Sequence, residues 1–280
     1  MSYKTILVHL DQSKHNAERS RIAADLAQQH QAHLVGAAPT GLSRFAYPHN
    51  PAAAPAAPAL AGHLAFLRRR AETALAGFDA LAAQRGIASC ERRLVDDETE
   101  AGLVLQARYS DLLVLSQTDP DEASPNLIAA LPAYAVLHCA RPVLILPYAG
   151  RFERVGEQAL VAWDGSMEAS RAITGALPLL RRASKVTLAV FNPAAAYSVH
   201  GEQPGADLAL YLARHGVAVE VAQQATELDI GNALLSLAAD LGSDLLVMGA
   251  YGHSRLREVV LGGATRTVLA SMTLPVLMAH

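Results

Sequence analysis

The segment richest in chemistry lies near the C-terminal end of the 280-residue sequence. Gly249-Ala250-Tyr251-Gly252 is followed, after nine residues, by Gly262-Gly263-Ala264-Thr265. A phosphate is held by backbone N–H groups at close range, and glycine lets the chain approach without a Cβ in the way. Phosphate also gains from a helix N-terminus, where unpaired N–H groups and the helix dipole favour negative charge. The segment offers both if a strand ends at Met248 and a helix opens near Ala264. Gly249, Gly252, Gly262 and Gly263 would then cradle phosphate oxygens. Thr265 would cap the helix or bond an oxygen, and His253, Ser254 and Arg255 fall in the loop that reaches the rest. No Gly-Lys-Ser/Thr follows, so this is neither a Walker loop nor the dinucleotide fingerprint. The alternative is that the glycines only shape a tight loop.

A carboxylate stands at a related position, in Trp163-Asp164-Gly165-Ser166. Asp164 ends a strand-like run and suits a ribose or a base; its other role is to cap a helix starting near Met167. Val190 and Phe191 close the next apolar run and are suited to wall an adenine, or simply to fill a core. The remaining polar residues suggest less. The two cysteines, Cys90 and Cys139, lack zinc-site spacing, and the eleven histidines show no His-x3-His pattern, so no metal site is expected. His9 reads as a packed neutral histidine and Arg68-Arg69-Arg70 as a solvated helix face.

These residues need strands and helices to place them, and the chain repeats the means of doing so. Ser110-Asp111-Leu112-Leu113-Val114-Leu115 recurs as Ser243-Asp244-Leu245-Leu246-Val247-Met248, an offset of 133 residues that persists from Arg141-Pro142-Val143-Leu144 to Leu274-Pro275-Val276-Leu277. The two starts also correspond, Ile6–Asp11 with Ala159–Asp164, at an offset of 153 residues. The first copy therefore carries an Ala/Pro-rich insertion within 39–60, expected as a loop because its prolines forbid a continuous helix or ladder. The domains are expected over 1–150 and 151–280. In the second, the pattern predicts strands near 158–163, 185–191, 217–223, 244–248 and 275–279. Helices are predicted over 168–182, 207–215, 228–241 and 264–271. Strand runs without clean alternation imply a parallel sheet covered on both faces, so each domain is expected to be a doubly wound α/β fold with a five-stranded parallel sheet. Such sheets bind ligands at the carboxyl ends of their strands, where strand order reverses.

Composition narrows the function classes. The chain is 51% hydrophobic and 18% charged, which disfavours disorder. A net charge of −3 argues against a nucleic-acid or anionic-membrane surface. No leader and no apolar run long enough to span a membrane is read, so a cytoplasmic protein is expected.

The second half resembles the universal stress protein family over its whole length. Ala159–Ser166 looks like the family's opening strand with its aspartate, and Gly249-x2-Gly252-x9-Gly262 like the glycine motif of its ATP-binding branch. That motif usually continues with Ser or Thr, whereas this chain has Gly263 and offers Thr265 two positions later. The resemblance implies an adenine nucleotide alpha hydrolase-like, Rossmann-like fold, with ATP as ligand, with or without Mg2+. It also implies that Asp164 contacts the ribose or adenine and that the glycines hold the phosphates. The first half resembles the family more weakly, through Ile6–Asp11 and the strand before Ser116. At the 133-residue offset, its Ser116, Asp119, Ala129, Ala130 and Pro132 replace Gly249, Gly252, Gly262, Gly263 and Thr265. An aspartate at that corner would repel phosphate, and Asp121 and Glu122 deepen the effect. This half is expected to be a structural or partner-binding copy.

The expected function is that of an ATP-binding stress-response regulator, with an adenine-nucleotide hydrolase or weak ATPase and a nucleotide-free scaffold as alternatives. No attacking-water base stands out beyond Asp164 or Glu258. By family analogy Val143–Leu146 should lie beside Val276–Met278, making the protein a monomer with paired domains or a homodimer.

Overall fold

The computed structural model describes residues 2–42, 58–122, 131–193, 202–252 and 263–280. Most of the Ala/Pro insertion therefore lies outside the described residues. The chain divides into two compact units, Ser2–Ala135 and Val136–His280.

The first unit contains β1 (Thr5–His9), α1 (Asn16–His30), β2 (His33–Pro39), α2 (Pro58–Arg85), β3 (Cys90–Val95), α3 (Thr99–Ala107) and β4 (Leu112–Ser116). Helix α4 (Leu131–His138) spans the division between the units. The strands are ordered β3-β2-β1-β4 and run parallel, with Ile6 opposite both Leu34 and Leu112.

The second unit contains β5 (Val143–Leu146), β6 (Gln158–Ala162), α5 (Met167–Leu180), β7 (Lys185–Phe191) and α6 (Ala206–Arg214). It continues with β8 (Glu220–Gln224), α7 (Ile230–Asp240), β9 (Leu245–Gly249), α8 (Gly263–Ser271) and β10 (Val276–Ala279). The order β8-β7-β6-β9-β10 is wholly parallel, and β5 then joins β10 antiparallel, pairing Leu144 with Leu277. This places Val143–Leu146 beside Val276–Met278, as the assembly argument required. The expected five-stranded parallel sheet of the second half is β8-β7-β6-β9-β10, and β5, which the unit boundary places in the second unit, joins its β10 edge. The protein is thus an α/β fold on a mostly parallel sheet.

Burial explains the strand composition. Leu160, Val161, Leu245, Leu246 and Val247 are completely buried because helices cover the parallel strands, so every position is apolar instead of alternating. Strand β8 differs: it is a sheet edge, mostly exposed, and carries Glu220, Gln223 and Gln224. The repeated Ser-Asp pair also has a structural cause. Asp111 accepts the Lys4 and Thr5 N–H groups at 2.6 and 3.0 Å, and Asp244 accepts those of Gly156, Glu157 and Gln158, each at 3.0 Å. Each aspartate ties the entry of the first strand of its half to the start of the fourth. Among the described residues, no helix is long and apolar enough to cross a membrane.

Candidate functional site

In the second unit strand order reverses between β6 and β9, and a cavity of about 380 Å³ opens at their carboxyl ends. Ala162, Trp163, Asp164 and Ser166 line it from the β6–α5 turn, and Ala189 and Phe191 from β7. Ile230 and Leu234 contribute from α7, Met248, Gly249, Tyr251 and Gly252 from β9 and its loop, and Gly263, Ala264 and Thr265 from α8. Asp164, Phe191, Gly249, Gly252, Gly263 and Thr265 are therefore brought to one cavity. His253, Ser254, Arg255, Glu258 and Gly262 lie outside the described residues.

Several local roles differ from those read in the sequence. Ser166, not Asp164, caps α5: its Oγ accepts the Ala169 N–H at 3.1 Å. Asp164 stands one step behind, with its Oδ1 accepting the Ser166 N–H at 3.0 Å and the Ser166 hydroxyl at 2.6 Å. The cap and the carboxylate are thus one bonded unit, which holds Asp164 at the cavity. Val190 does not line the cavity, correcting its assignment to the wall. Successive strand side chains alternate in direction, so Ala189 and Phe191 face the cavity while Val190 and Leu188 pack toward Gly205.

The glycines also divide by role. A Cβ on Gly249 would collide with the backbone of Glu168 and Ala169, so close packing of β9 against the start of α5 requires glycine there. At Gly252 a Cβ would come within 2.9 Å of the Glu168 carboxylate, a flexible neighbour, which leaves this glycine as the open corner. Thr265 is buried inside the first turn of α8 and is not its cap. Its Oγ1 accepts the Tyr251 N–H at 3.2 Å, which bridges the loop to the helix and leaves the hydroxyl hydrogen to donate. Tyr251 adopts a left-handed φ of 58°, and burial pushes its phenol pKa up. The sequence reading missed Ile230 and Leu234; their i, i+4 spacing on a helix signals only an apolar face.

The corresponding place in the first unit holds a cavity of about 260 Å³ with a different lining, including His9, Asp11, His15, Arg19, Ser116, Asp119 and Pro132. The Asp-x-Ser turn is retained, with the Ser13 hydroxyl donating to Asp11 at 2.7 Å. The corner that corresponds to Gly252 is filled from within. Asp119 is bound by Lys14 at 2.7 Å, by His15 at 2.8 Å and by the Asp121 N–H at 2.9 Å, and these contacts hold its carboxyl well below the usual range. Arg19, buried, donates to the His9 carbonyl, the Ser116 hydroxyl and Asp11 at 2.7–2.8 Å. Burial would raise the Asp11 pKa, but the Arg19 charge and its other partners bring it down overall. His9 is pushed down to about 4 by burial and by Arg19, against the opposing pull of Asp11, and is neutral near pH 7.

The universal stress protein family model matches residues 157–280. A universal stress protein of Synechocystis sp. is 39% identical over 74 residues, an alignment covering 24% of this chain and 26% of that protein. The chain thus matches about a quarter of the length of that curated relative. Among solved structures, a universal stress protein from Archaeoglobus fulgidus superposes with a TM-score of 0.72 at 13% identity, over 98% of this chain and 95% of that one. A Pseudomonas aeruginosa protein named as a candidate member of the same family gives 0.62 at 14% identity, over 99% and 93%. At these identities the likeness is one of fold, and it extends over both halves. By that family match, the segment 157–280 is a universal stress protein family domain.

Proposed function

We propose that the second-half cavity binds one adenine nucleotide, ATP, per chain, and that the protein is a nucleotide-responsive regulatory module of the stress-protein type. The observation that carries this reading is the composition of the 380 Å³ cavity at the strand-order reversal. An anchored carboxylate, Asp164, stands on one side of the reversal, and the Gly252 corner, Gly263 and the start of α8 stand on the other. Asp164 suits ribose hydroxyls, Phe191, Ile230 and Leu234 suit the base, and the α8 N-terminus with the Thr265 hydroxyl suits phosphate. Where Mg2+ accompanies the nucleotide, Glu168 beside Gly252 and Asp229 beside Gly263 are carboxylates at the phosphate corner, with Asp164 across the reversal. A binding role is favoured over a catalytic one because Asp164, the carboxylate among the described lining residues, is already engaged by Ser166. The first half, with its corner occupied by Asp119, serves as the structural or partner-facing copy.

The test is mass spectrometry of the small molecule released on denaturing purified protein, followed by calorimetry with ATP. Bound adenine nucleotide and a stoichiometry near one are expected. No nucleotide, together with no heat and no thermal shift on adding ATP, would leave the protein a scaffold.

A further inference from the structure

A separate cavity of about 350 Å³ lies in the second unit, lined by the chain leading into β5, by one face of α5 and by the last residues of β10, and shares no lining residue with the nucleotide cavity. Arg141 and Arg171 both line it, and both are exposed. Its lining contains no aspartate or glutamate, and among the described residues neither guanidinium forms an ion pair; the Arg141 charge acts instead on the Cys139 thiol beside it. The other polar groups are turned elsewhere. Ser170 donates to the Ser166 carbonyl at 3.2 Å, Thr174 to the Ser170 carbonyl at 2.8 Å, and His280 Nδ1 to the Ala250 carbonyl at 3.0 Å. Cys139, Ala140, Pro142 and Ala279 complete a largely apolar floor.

The arginine pair is not a remnant of the repeated framework. At matched positions the other half has Glu18, which is ion-paired with Arg21 at 2.6 Å, while Leu274 corresponds to Arg141. Two like charges in one concave site whose lining holds no aspartate or glutamate side chain create a positive potential that an anion relieves. Each guanidinium presents a fork of N–H donors. A carboxylate is satisfied by one fork, whereas a phosphate has oxygens enough for two.

We infer that this cleft is an anion site in which Arg141 and Arg171 together clamp one phosphate group. The inference is independent of the nucleotide reading of the other cavity. It is tested on the full chain by calorimetry and thermal shift with inorganic phosphate and with phenyl phosphate, at ionic strength held constant with sodium chloride. Saturable binding is expected, weakened at least about tenfold by Arg141→Gln with Arg171→Gln and retained in Gly252→Asp. Preference for phenyl phosphate assigns the phosphate end of a larger molecule, and preference for inorganic phosphate assigns the free ion. Circular dichroism checks the fold. Should the double variant unfold, Arg171→Gln alone, on the exposed face of α5, reads the same loss at reduced size. No saturable binding, equal binding in the arginine variants, or loss in Gly252→Asp overturns the site.

Discussion

Matched residues in the two halves share a frame and diverge where a phosphate would sit. Gly252 faces Glu168 in the second half; the same pair of positions in the first is Asp119 and His15, bonded to each other at 2.8 Å. Asp119 was expected to act by repulsion, but Lys14 and His15 hold it so that its carboxylate takes the anion's place. Gly252→Asp lacks those cations and meets Glu168 instead, so it should abolish ATP binding by calorimetry; binding that persists would remove Gly252 from the site. Asp119→Gly should not create a second site, because Arg19, Ser116 and Pro132 still fill the corner. Gly249→Ala should act on stability, since its Cβ meets the α5 backbone; about 1–3 kcal/mol is expected to be lost in urea denaturation. His9 gives the first half a pH dependence. Its folded pKa of about 4 lies below the unfolded 6.5, so the unfolded chain takes up a proton first as pH falls. Its contribution is complete above pH 6.5, declines between 6.5 and about 4, and is then exhausted, a loss of about 3 kcal/mol. His9→Gln should flatten urea stability across that window, whereas an unchanged slope would acquit His9.

The element that positions the most chemistry is the β6–α5 turn. Its Asp-x-Ser geometry recurs in both halves, with Ser-to-Asp bonds of 2.7 Å in the first and 2.6 Å in the second. Only in the second does the serine also cap the following helix. Ser166→Ala should therefore cost about 1 kcal/mol of stability through the lost cap. It should also weaken ATP binding, because Asp164 loses the hydroxyl that anchors it. Ser166→Thr should restore both by keeping the hydroxyl. A stability loss with unchanged affinity would show that Asp164 needs no such anchor. Much of this level was legible: the predicted helices of the second half fall within a few residues of α5, α6, α7 and α8, and the strands of β6, β7, β9 and β10 are similarly close. Strand β8 is placed least well, at Glu220–Gln224 against an expected 217–223, because an exposed edge leaves a weak apolar signal.

For the molecule as a whole, the consequential feature is that β5 completes the second unit. Val276, Leu277 and Met278 are fully buried where β5 pairs with β10. A fragment of residues 136–280 keeps that pairing, whereas one of residues 157–280 exposes an apolar strand edge. Light scattering should find the shorter fragment more strongly associated than the longer one. The longer fragment should also retain most of the affinity for ATP. A shorter fragment as stable and monomeric as the longer would mean that β5 is dispensable to the unit.

The sequence by itself determined the alternation of elements, the repeat and the segment on which Gly249, Gly252 and Gly263 lie. Each of these rests on local regularities: apolar periodicity, glycine and proline punctuation, and self-similarity along the chain. Facing and contact were decided only in three dimensions. That Phe191 turns to the cavity and Val190 away, that Gly249 serves packing while Gly252 stays open, and that Arg19 and Asp119 fill the first-half corner all depend on register between distant segments. The same holds for the antiparallel seat of β5 and for the meeting of Arg141 with Arg171 in one cleft. Burial of a stripe writes a pattern into neighbouring residues, but a contact between residues thirty to more than a hundred positions apart writes none, and only the packed chain shows it.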